Sequence, residues 1–158
     1  MQAGRPMEPR SARVCDGAPK RAAETCPRAV FPIPQPTVIV VADNGKILCQ
    51  IGKILRRAGF VAYFAVDTAS ALDALASFPC ADVLLIDADM PDTDGVVLAD
   101  MIKTRCPRIE VLYMTTAAGG METKFGVRHG PTIEKPLRAH QLAAAVSHAC
   151  ERSRLSRA

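Results

Sequence analysis

Short runs of β-branched and aliphatic residues alternate with stretches of helical period between Thr37 and Cys150. Runs of this length bounded by turn residues are typical of buried strands, and i, i+3, i+4 spacing is typical of amphipathic helices. The predicted strands are 37–42, 60–65, 82–87, 110–115 and 132–134. This alternation indicates a doubly wound α/β fold around a five-stranded parallel sheet, in which ligands bind beyond the carboxyl ends of the strands.

Each predicted helix has one apolar stripe that would face the sheet. The expected inward residues are Ile47, Ile51, Ile54 and Ala58; Ala71, Ala74, Leu75 and Phe78; Val97, Leu98, Met101 and Ile102; and Leu142, Ala145, Val146 and Ala149. Gly59 is expected to end the first helix. The segment between Thr115 and Lys135 holds four glycines and no clear period, so the fourth helix of such a fold is predicted to be atypical or missing.

The two ends of the chain differ in composition from its body. Residues 1–36 contain seven of the twelve prolines and are predicted to be a disordered arm rich in proline and arginine, although a targeting or nucleic-acid-binding arm remains an alternative. Residues 37–150 are expected to form one domain, and 151–158 a short basic tail. Because the excess of basic residues behind the net charge of +4 lies in the two ends, nucleic-acid binding is disfavoured.

Neither a membrane-spanning segment nor a disulfide bond is expected. No apolar run reaches the ~20 residues that cross a bilayer, so the protein is predicted to be soluble, cytoplasmic and without a membrane partner. The six cysteines show no CxxC pair and are expected to be reduced thiols. Cys49 and Cys150 are expected to pack on helical core faces.

Four chemically active residues stand at or just after predicted strand ends: Asp43, Asp87, Thr115 and Lys135. If the first and third strands are neighbours, the two carboxylates converge and would repel by about 4 kcal/mol at ~4 Å near a surface. Mg²⁺ is the expected counter-charge, because it accepts one or two carboxylates, a carbonyl and waters. A carboxylate nucleophile, a metal, an ammonium and a hydroxyl are the parts that phosphoryl transfer requires.

The motifs that carry these residues are V-V-x-D ending at Asp43, D-x-x-M-P-x-x-D-G at 87–95 and T-x(19)-K-P from Thr115. Together they resemble the receiver domains of two-component response regulators, either stand-alone or of the type attached to hybrid histidine kinases. The resemblance covers residues 37–150. It implies a flavodoxin-like sheet in the order 2-1-3-4-5.

The resemblance also implies a role for each residue. Asp87 would take a phosphoryl group from a phosphohistidine of a sensor or hybrid histidine kinase. Asp43 and Asp87 would bind Mg²⁺ through carboxylates, and Asp89 through its backbone carbonyl. Lys135 would pair with the acyl phosphate, Thr115 would turn toward it, and the Lys135-Pro136 bond would be cis. The loop residues Met90, Pro91, Asp94 and Gly95 are expected only to shape the turn into the third helix.

Two positions depart from the family pattern. The first of the two acids that usually follow strand one is replaced by Ala42, which would weaken metal binding 10- to 100-fold, roughly the effect of losing an outer-shell partner. Asn44 and the side chain of Asp89 are candidates for partial compensation. The aromatic residue expected three positions before the lysine is Thr132, so a coupled motion of a threonine and a ring is not available in that form.

The leading interpretation is therefore a single-domain response regulator that signals by changed binding to a downstream protein and is not an enzyme. A homodimer is left open. The alternative is a pseudo-receiver, a protein-interaction module that keeps the fold without useful phosphorylation, favoured by Ala42 and Thr132. A flavodoxin-like cofactor binder ranks lower, because the ADNGK segment after strand one offers a carboxylate where a neutral phosphate loop would be needed.

Overall fold

The computed structural model describes residues 34–116 and 129–157, which contain five strands and four helices. In chain order they are β1 Thr37–Val41, α1 Gly45–Arg57, β2 Val61–Ala65, α2 Thr68–Ser77, β3 Val83–Asp87, α3 Gly95–Arg105, β4 Glu110–Thr115, β5 Thr132–Glu134 and α4 Ala139–Leu155. The predicted strands are confirmed to within one residue at each end. The predictions for residues 1–33 and for a helix within 117–128 lie outside the described residues.

All five strands are parallel and lie in the order β2-β1-β3-β4-β5. The predicted flavodoxin-like topology is confirmed. Helices cover both faces of this sheet, and the alternation of side chains along each strand supplies two separate cores. In β1, Ile39 and Val41 pack on the face that carries α2 and α3, whereas Val38 and Val40 pack on the face that carries α1 and α4.

Local sequence explains where the helices begin and end. The side chain of Asn44 accepts a hydrogen bond from Lys46 N–H at the start of α1, and Asp67 and Ser70 form a reciprocal capping box at the start of α2. Asp94 accepts from the N–H groups of the first turn of α3, which gives it the turn-shaping role expected from its loop. Gly59 follows α1 with φ of +86°, a conformation that other residues rarely adopt.

The inward faces of two helices differ from the prediction. In α3 the buried residues are Gly95, Leu98, Ala99 and Ile102. Val97 and Met101 are exposed, because a stripe at i, i+3, i+4 and i+7 from Gly95 leaves them on the outer side. In α1, Cys49 is exposed and so is Ala58, which lies beyond the last helical residue, whereas Cys150 in α4 is buried as expected.

Both ends of the predicted domain extend further than its assigned limits. Before β1, the carbonyl of Pro36 accepts a hydrogen bond from Val61 N–H, so the sheet register begins within the segment assigned to the arm. At the other end, α4 continues through Leu155, and Ser153 is fully buried. Residues 151–155 are therefore the last turns of a packed helix. No helix of the described chain is both long and apolar enough to cross a membrane.

Candidate functional site

The carboxyl edge of the sheet brings together most of the residues predicted from the sequence. Asp87 is the last residue of β3, Thr115 is the last residue of β4, and Lys135 directly follows β5. The strand register places Asp87 beside Met114 and Thr115 beside Glu134. Because neighbouring parallel strands lie about 4.8 Å apart, side chains from these positions reach one another across the edge.

Asp87 is a buried carboxylate with one oxygen engaged. It is 2% exposed, and its Oδ1 accepts a hydrogen bond from Lys135 Nζ at 2.7 Å and another from the N–H of Asp89 at 2.9 Å. Within the described residues, no hydrogen bond is formed to Asp87 Oδ2. A buried carboxylate needs hydrogen bonds or a counter-charge, and Lys135 supplies both here.

The side chain of Asp89 lies at the centre of a second set of contacts. Its Oδ1 accepts from the hydroxyl of Thr115 at 2.9 Å, and its Oδ2 accepts from the N–H of Thr116 at 2.8 Å and from Lys135 Nζ at 3.1 Å. Asp89 was expected to act through its backbone carbonyl, with its side chain as a candidate for partial compensation, and Thr116 was not predicted, because its contribution is a main-chain N–H that no side-chain pattern reveals. The structure thus joins Asp87, Asp89, Thr115 and Lys135 into one network.

This network fixes the charges of two of its members. Burial alone would raise the pKa of Asp89, but the hydrogen bonds from Thr116, Thr115 and Lys135 and the charge of Lys135 hold it below its usual value. Burial alone would lower the pKa of Lys135, but hydrogen bonds and the negative charges of Asp87 and Asp89 hold it above its usual value. At neutral pH the side chain of Asp89 is therefore held as a carboxylate and that of Lys135 as an ammonium.

Asp43 lies on the same edge but outside this network. It is exposed, two residues beyond the end of β1, and Ala42 before it is fully buried. β1 pairs with β3 through Val41 and Ile86, so Asp43 follows the strand next to the one that Asp87 ends. Within 34–116 and 129–157, however, no three acidic, histidine or cysteine side chains are grouped closely enough to hold a metal ion. The predicted metal ligands Asp43, Asp87 and Asp89 therefore stay a prediction.

The residues present still fit a magnesium ion of ordinary coordination. Mg²⁺ is usually held by only one or two carboxylates and keeps several waters, so three grouped acids are not required. Asp87 Oδ2 is left without a hydrogen bond among the described residues, and Asp43 lies two residues beyond the end of the adjacent strand. The two groups proposed to compensate for Ala42 already have hydrogen-bond partners. The side chain of Asn44 caps α1. The carboxylate of Asp89 accepts hydrogen bonds from Thr115, Thr116 and Lys135.

Thr132, at the position where the family usually has an aromatic residue, lies beside an aromatic residue of the neighbouring strand. Thr132 in β5 is in register with Tyr113 in β4, a residue that is 1% exposed. The hydroxyl of Thr132 is buried without a hydrogen-bond partner among the described residues. Burial, followed by the charges of Asp100 and Asp94, raises the pKa of Tyr113 to about 12. An aromatic ring is thus present one strand away from its expected place, two residues before Thr115.

Comparison with known proteins supports the same family. Residues 38–147 match the sequence model of the response regulator receiver domain, which covers more than half of the chain. The chain therefore belongs to the receiver domain family of two-component response regulators. The Lys135-Pro136 peptide bond is cis, as the resemblance implied.

Individual relatives are similar over part of their length. A protein-glutamate methylesterase/protein-glutamine glutaminase of Anaeromyxobacter dehalogenans is 30% identical over 104 residues, which cover 64% of this chain and 30% of the relative. The DNA-binding transcriptional regulator NtrC of Escherichia coli is 40% identical over 78 residues, 49% of this chain and 16% of the relative. The chain thus spans less than a third of these relatives.

A solved structure shows the same fold. The crystal structure of a sensor protein from Polaromonas sp. JS666 aligns with a TM-score of 0.69 and 23% sequence identity. The alignment covers 76% of this chain and 99% of the other. At this identity the similarity establishes the fold, and the chemistry has to be argued from the residues at the carboxyl edge.

Proposed function

We propose that this receiver accepts a phosphoryl group from a sensor or hybrid histidine kinase on Asp87, with Mg²⁺, and signals by changed binding to a downstream protein. One observation carries the proposal: a carboxylate that is 2% exposed ends the central strand of the sheet, with Lys135 Nζ 2.7 Å from one of its oxygens. The other oxygen is left to act as the nucleophile.

The residues of the site divide the work of the transfer. Asp87 Oδ2 would form the new bond to phosphorus as the bond from phosphorus to the donor nitrogen or oxygen breaks, and the donor keeps that electron pair. Lys135 holds the carboxylate in place and offers positive charge to the transferring group. The hydroxyl of Thr115 and the N–H of Thr116 both donate to the carboxylate of Asp89, and donors of this kind are suited to bind phosphoryl oxygens.

Magnesium would be held by the carboxylates of Asp43 and Asp87 and by the backbone carbonyl of Asp89. When bound, such an ion neutralises part of the charge that develops on the transferring phosphoryl group. Its positive charge would also offset the mutual repulsion of Asp87 and Asp43. Because Ala42 supplies no carboxylate, a bound ion would have one fewer acidic neighbour than is usual in the family.

The test is incubation of the full chain with Mg²⁺ and acetyl phosphate, followed by intact-protein mass spectrometry. We expect the wild type to gain the mass of one phosphoryl group, and the adduct to be labile to hydroxylamine as an acyl phosphate is. The Asp87→Asn variant should gain nothing. A wild type that forms no adduct at saturating Mg²⁺ and donor would contradict the proposal and favour the phosphorylation-independent interaction module.

A further inference from the structure

The hydrogen-bond donors around Asp87 are already bound to another carboxylate of the same chain. Thr115 Oγ1, Thr116 N–H and Lys135 Nζ all donate to Asp89, at 2.9, 2.8 and 3.1 Å. We propose that Asp89 is an internal competitor of the phosphoryl group, occupying the donors that a phosphorylated Asp87 would need. This inference rests on the proposed function of Asp87 and concerns how the same site is regulated.

The contacts of Lys135 show that the two carboxylates share one site. Its ammonium lies 2.7 Å from Asp87 Oδ1 and 3.1 Å from Asp89 Oδ2, and its side chain is only 13% exposed. A phosphoryl group on Asp87 would therefore be built within reach of the same ammonium. Anionic oxygens in such a place need charged or N–H donors, and a donor already held by Asp89 is not available to a second anion.

Local geometry directs the Asp89 carboxylate to these donors. The backbone N–H of Asp89 donates to Oδ1 of Asp87, two residues earlier in the chain, at 2.9 Å. This hydrogen bond closes a tight loop after β3. That loop faces the end of β4, where Thr115 and Thr116 lie. One oxygen of the Asp89 carboxylate binds the Thr115 hydroxyl and the other binds the Thr116 N–H, as two oxygens of a phosphoryl group would.

Charge makes the two occupants mutually exclusive. Two acidic side chains, Asp87 and Asp89, already share the single ammonium of Lys135, at 2.7 and 3.1 Å. Phosphorylation of Asp87 would add a further negative charge beside Asp89. Repulsion would then expel the Asp89 carboxylate toward solvent, to which its side chain is already 32% exposed.

Two consequences follow from this competition. Phosphoryl transfer to Asp87 is slowed, because the competent arrangement exists only while Asp89 is displaced. Thr115 and Thr116 are also held, without any phosphate, in the contacts that a phosphoryl group would give them. The unphosphorylated chain therefore already has part of its phosphorylated arrangement, and Asp89 is the positioning residue responsible.

The first test compares Asp89→Ala with Asp92→Ala at saturating Mg²⁺ and acetyl phosphate. Asp92 is an exposed acid in the same loop, so its loss changes the net charge equally but frees no donor in the network. We expect the initial rate of adduct formation to rise about 10-fold in Asp89→Ala, the factor for a competent state populated near a tenth of the time, and not in Asp92→Ala. Asp89→Asn keeps the shape of the side chain and loses its charge, so its initial rate should lie between those of the two alanine variants.

The second test follows the amide of Thr116 by ¹⁵N-edited NMR and needs no covalent chemistry. In the wild type this N–H is bound to a carboxylate, so its proton signal should lie downfield and exchange slowly. Asp89→Ala should move the signal upfield and speed exchange, and Asp92→Ala should leave both unchanged. Beryllofluoride with Mg²⁺, a mimic of the phosphoryl group, should restore the downfield signal in Asp89→Ala.

The outcomes separate the two proposals. Equal adduct rates in Asp89→Ala and Asp92→Ala, with an unmoved Thr116 amide, would overturn the competition and leave Asp87 as the acceptor. A slower rate in Asp89→Ala would also overturn it. If no variant, wild type included, forms the adduct, the proposed function fails, and the Thr116 signal with its response to beryllofluoride then decides the competition by itself.

Discussion

Strand β3 has a buried aspartate at each end, and the two differ in what surrounds them. Asp82, directly before the strand, is 4% exposed, and Asp87, its last residue, is 2% exposed. Each faces a basic side chain from a distant part of the chain: Arg157 for Asp82 and Lys135 for Asp87. By burial and a basic partner alone, these two carboxylates are hard to tell apart.

Their partners distinguish them. Asp82 Oδ2 accepts from Thr37 N–H at 2.9 Å, and Arg157 Nη2 lies 3.2 Å from Oδ1, close enough for an ion pair although not in hydrogen-bond geometry. Arg157 also donates to the carbonyls of Cys80 and Ala81. Both oxygens of Asp82 are thus matched by the protein, whereas Asp87 has one oxygen without such a match. A buried carboxylate indicates chemistry when part of it is left for a ligand.

The largest difference between the two aspartates is expected in phosphoryl transfer, measured after each is replaced by asparagine. Asp87→Asn removes the proposed nucleophile, so we expect no adduct with acetyl phosphate and Mg²⁺. Asp82→Asn changes charge equally at the opposite edge, and its initial rate should stay within about twofold of wild type, since distant sites act independently. Intact-mass spectrometry measures both. Loss of the adduct in folded Asp82→Asn would show that the two ends are not separable.

The two basic residues allow the next comparison. Lys135→Met removes the positive charge beside Asp87, and we expect the rate of adduct formation to fall about 100-fold, the typical loss for one donor that stabilises a transition state. Arg157→Met is the matched control and should leave the rate unchanged. The measurement is a time course of adduct mass. A Lys135→Met rate equal to that of Arg157→Met would contradict the role given to Lys135.

The free energy of unfolding should depend more on Asp82 than on Asp87. Asp82→Ala leaves Thr37 N–H without its acceptor and Arg157 without its counter-charge, so we expect the free energy of unfolding to fall by about 2 kcal/mol. Asp87→Asn should change it by less than about 1 kcal/mol, because Lys135 keeps Asp89 as a partner. Urea unfolding followed by circular dichroism gives both values. A larger loss for Asp87→Asn would mean that Asp87 is chiefly structural.

The smallest expected effect is on pH dependence. The ionised Asp89, with its pKa lowered, stabilises the fold above the unfolded value of about 3.9, and this contribution is lost as pH falls through the folded pKa. Lys135, with its pKa raised, stabilises below about 10.4, and its contribution is lost as pH rises through the folded pKa.

The difference in unfolding free energy between wild type and the Asp89→Asn/Lys135→Met double variant should therefore be flat from about pH 5 to 9 and shrink on either side. Urea titrations at a series of pH values measure it, with Asp92→Asn as the control for a surface acid. A difference that changes steeply near pH 6.5 would assign the dependence to a histidine instead.

Much of the fold followed from local patterns because the strands are buried on both faces and carry almost uninterrupted aliphatic runs, as in VLLI before Asp87. The helix faces were harder. Leu98 and Ile102 were placed correctly, but Val97 and Met101 occupy an adjacent stripe of equal hydrophobicity, and only the packing of α3 on β3 decides which stripe is buried. The extension of α4 to Leu155 was missed because its last turns are mostly polar.

The site was predictable to the extent that its residues stand at strand ends. Asp87, Thr115 and Lys135 were identified that way, since parallel strands align their carboxyl termini. The contacts of the Asp89 carboxylate were not predictable, because they depend on the direction of a loop side chain and on the main-chain N–H of Thr116. Nor could Arg157 be assigned to Asp82, since the two are 75 positions apart in the chain.

The sequence by itself determined the order of strands and helices and the residue types at each strand end, because these depend on short-range periodicity and composition. The tertiary structure decided which charged groups share a hydrogen bond, and hence that Lys135 serves two carboxylates and that Asp89 holds the donors beside Asp87. Such pairings require angstrom-scale placement of atoms from distant segments, and the packing of the whole sheet sets that placement.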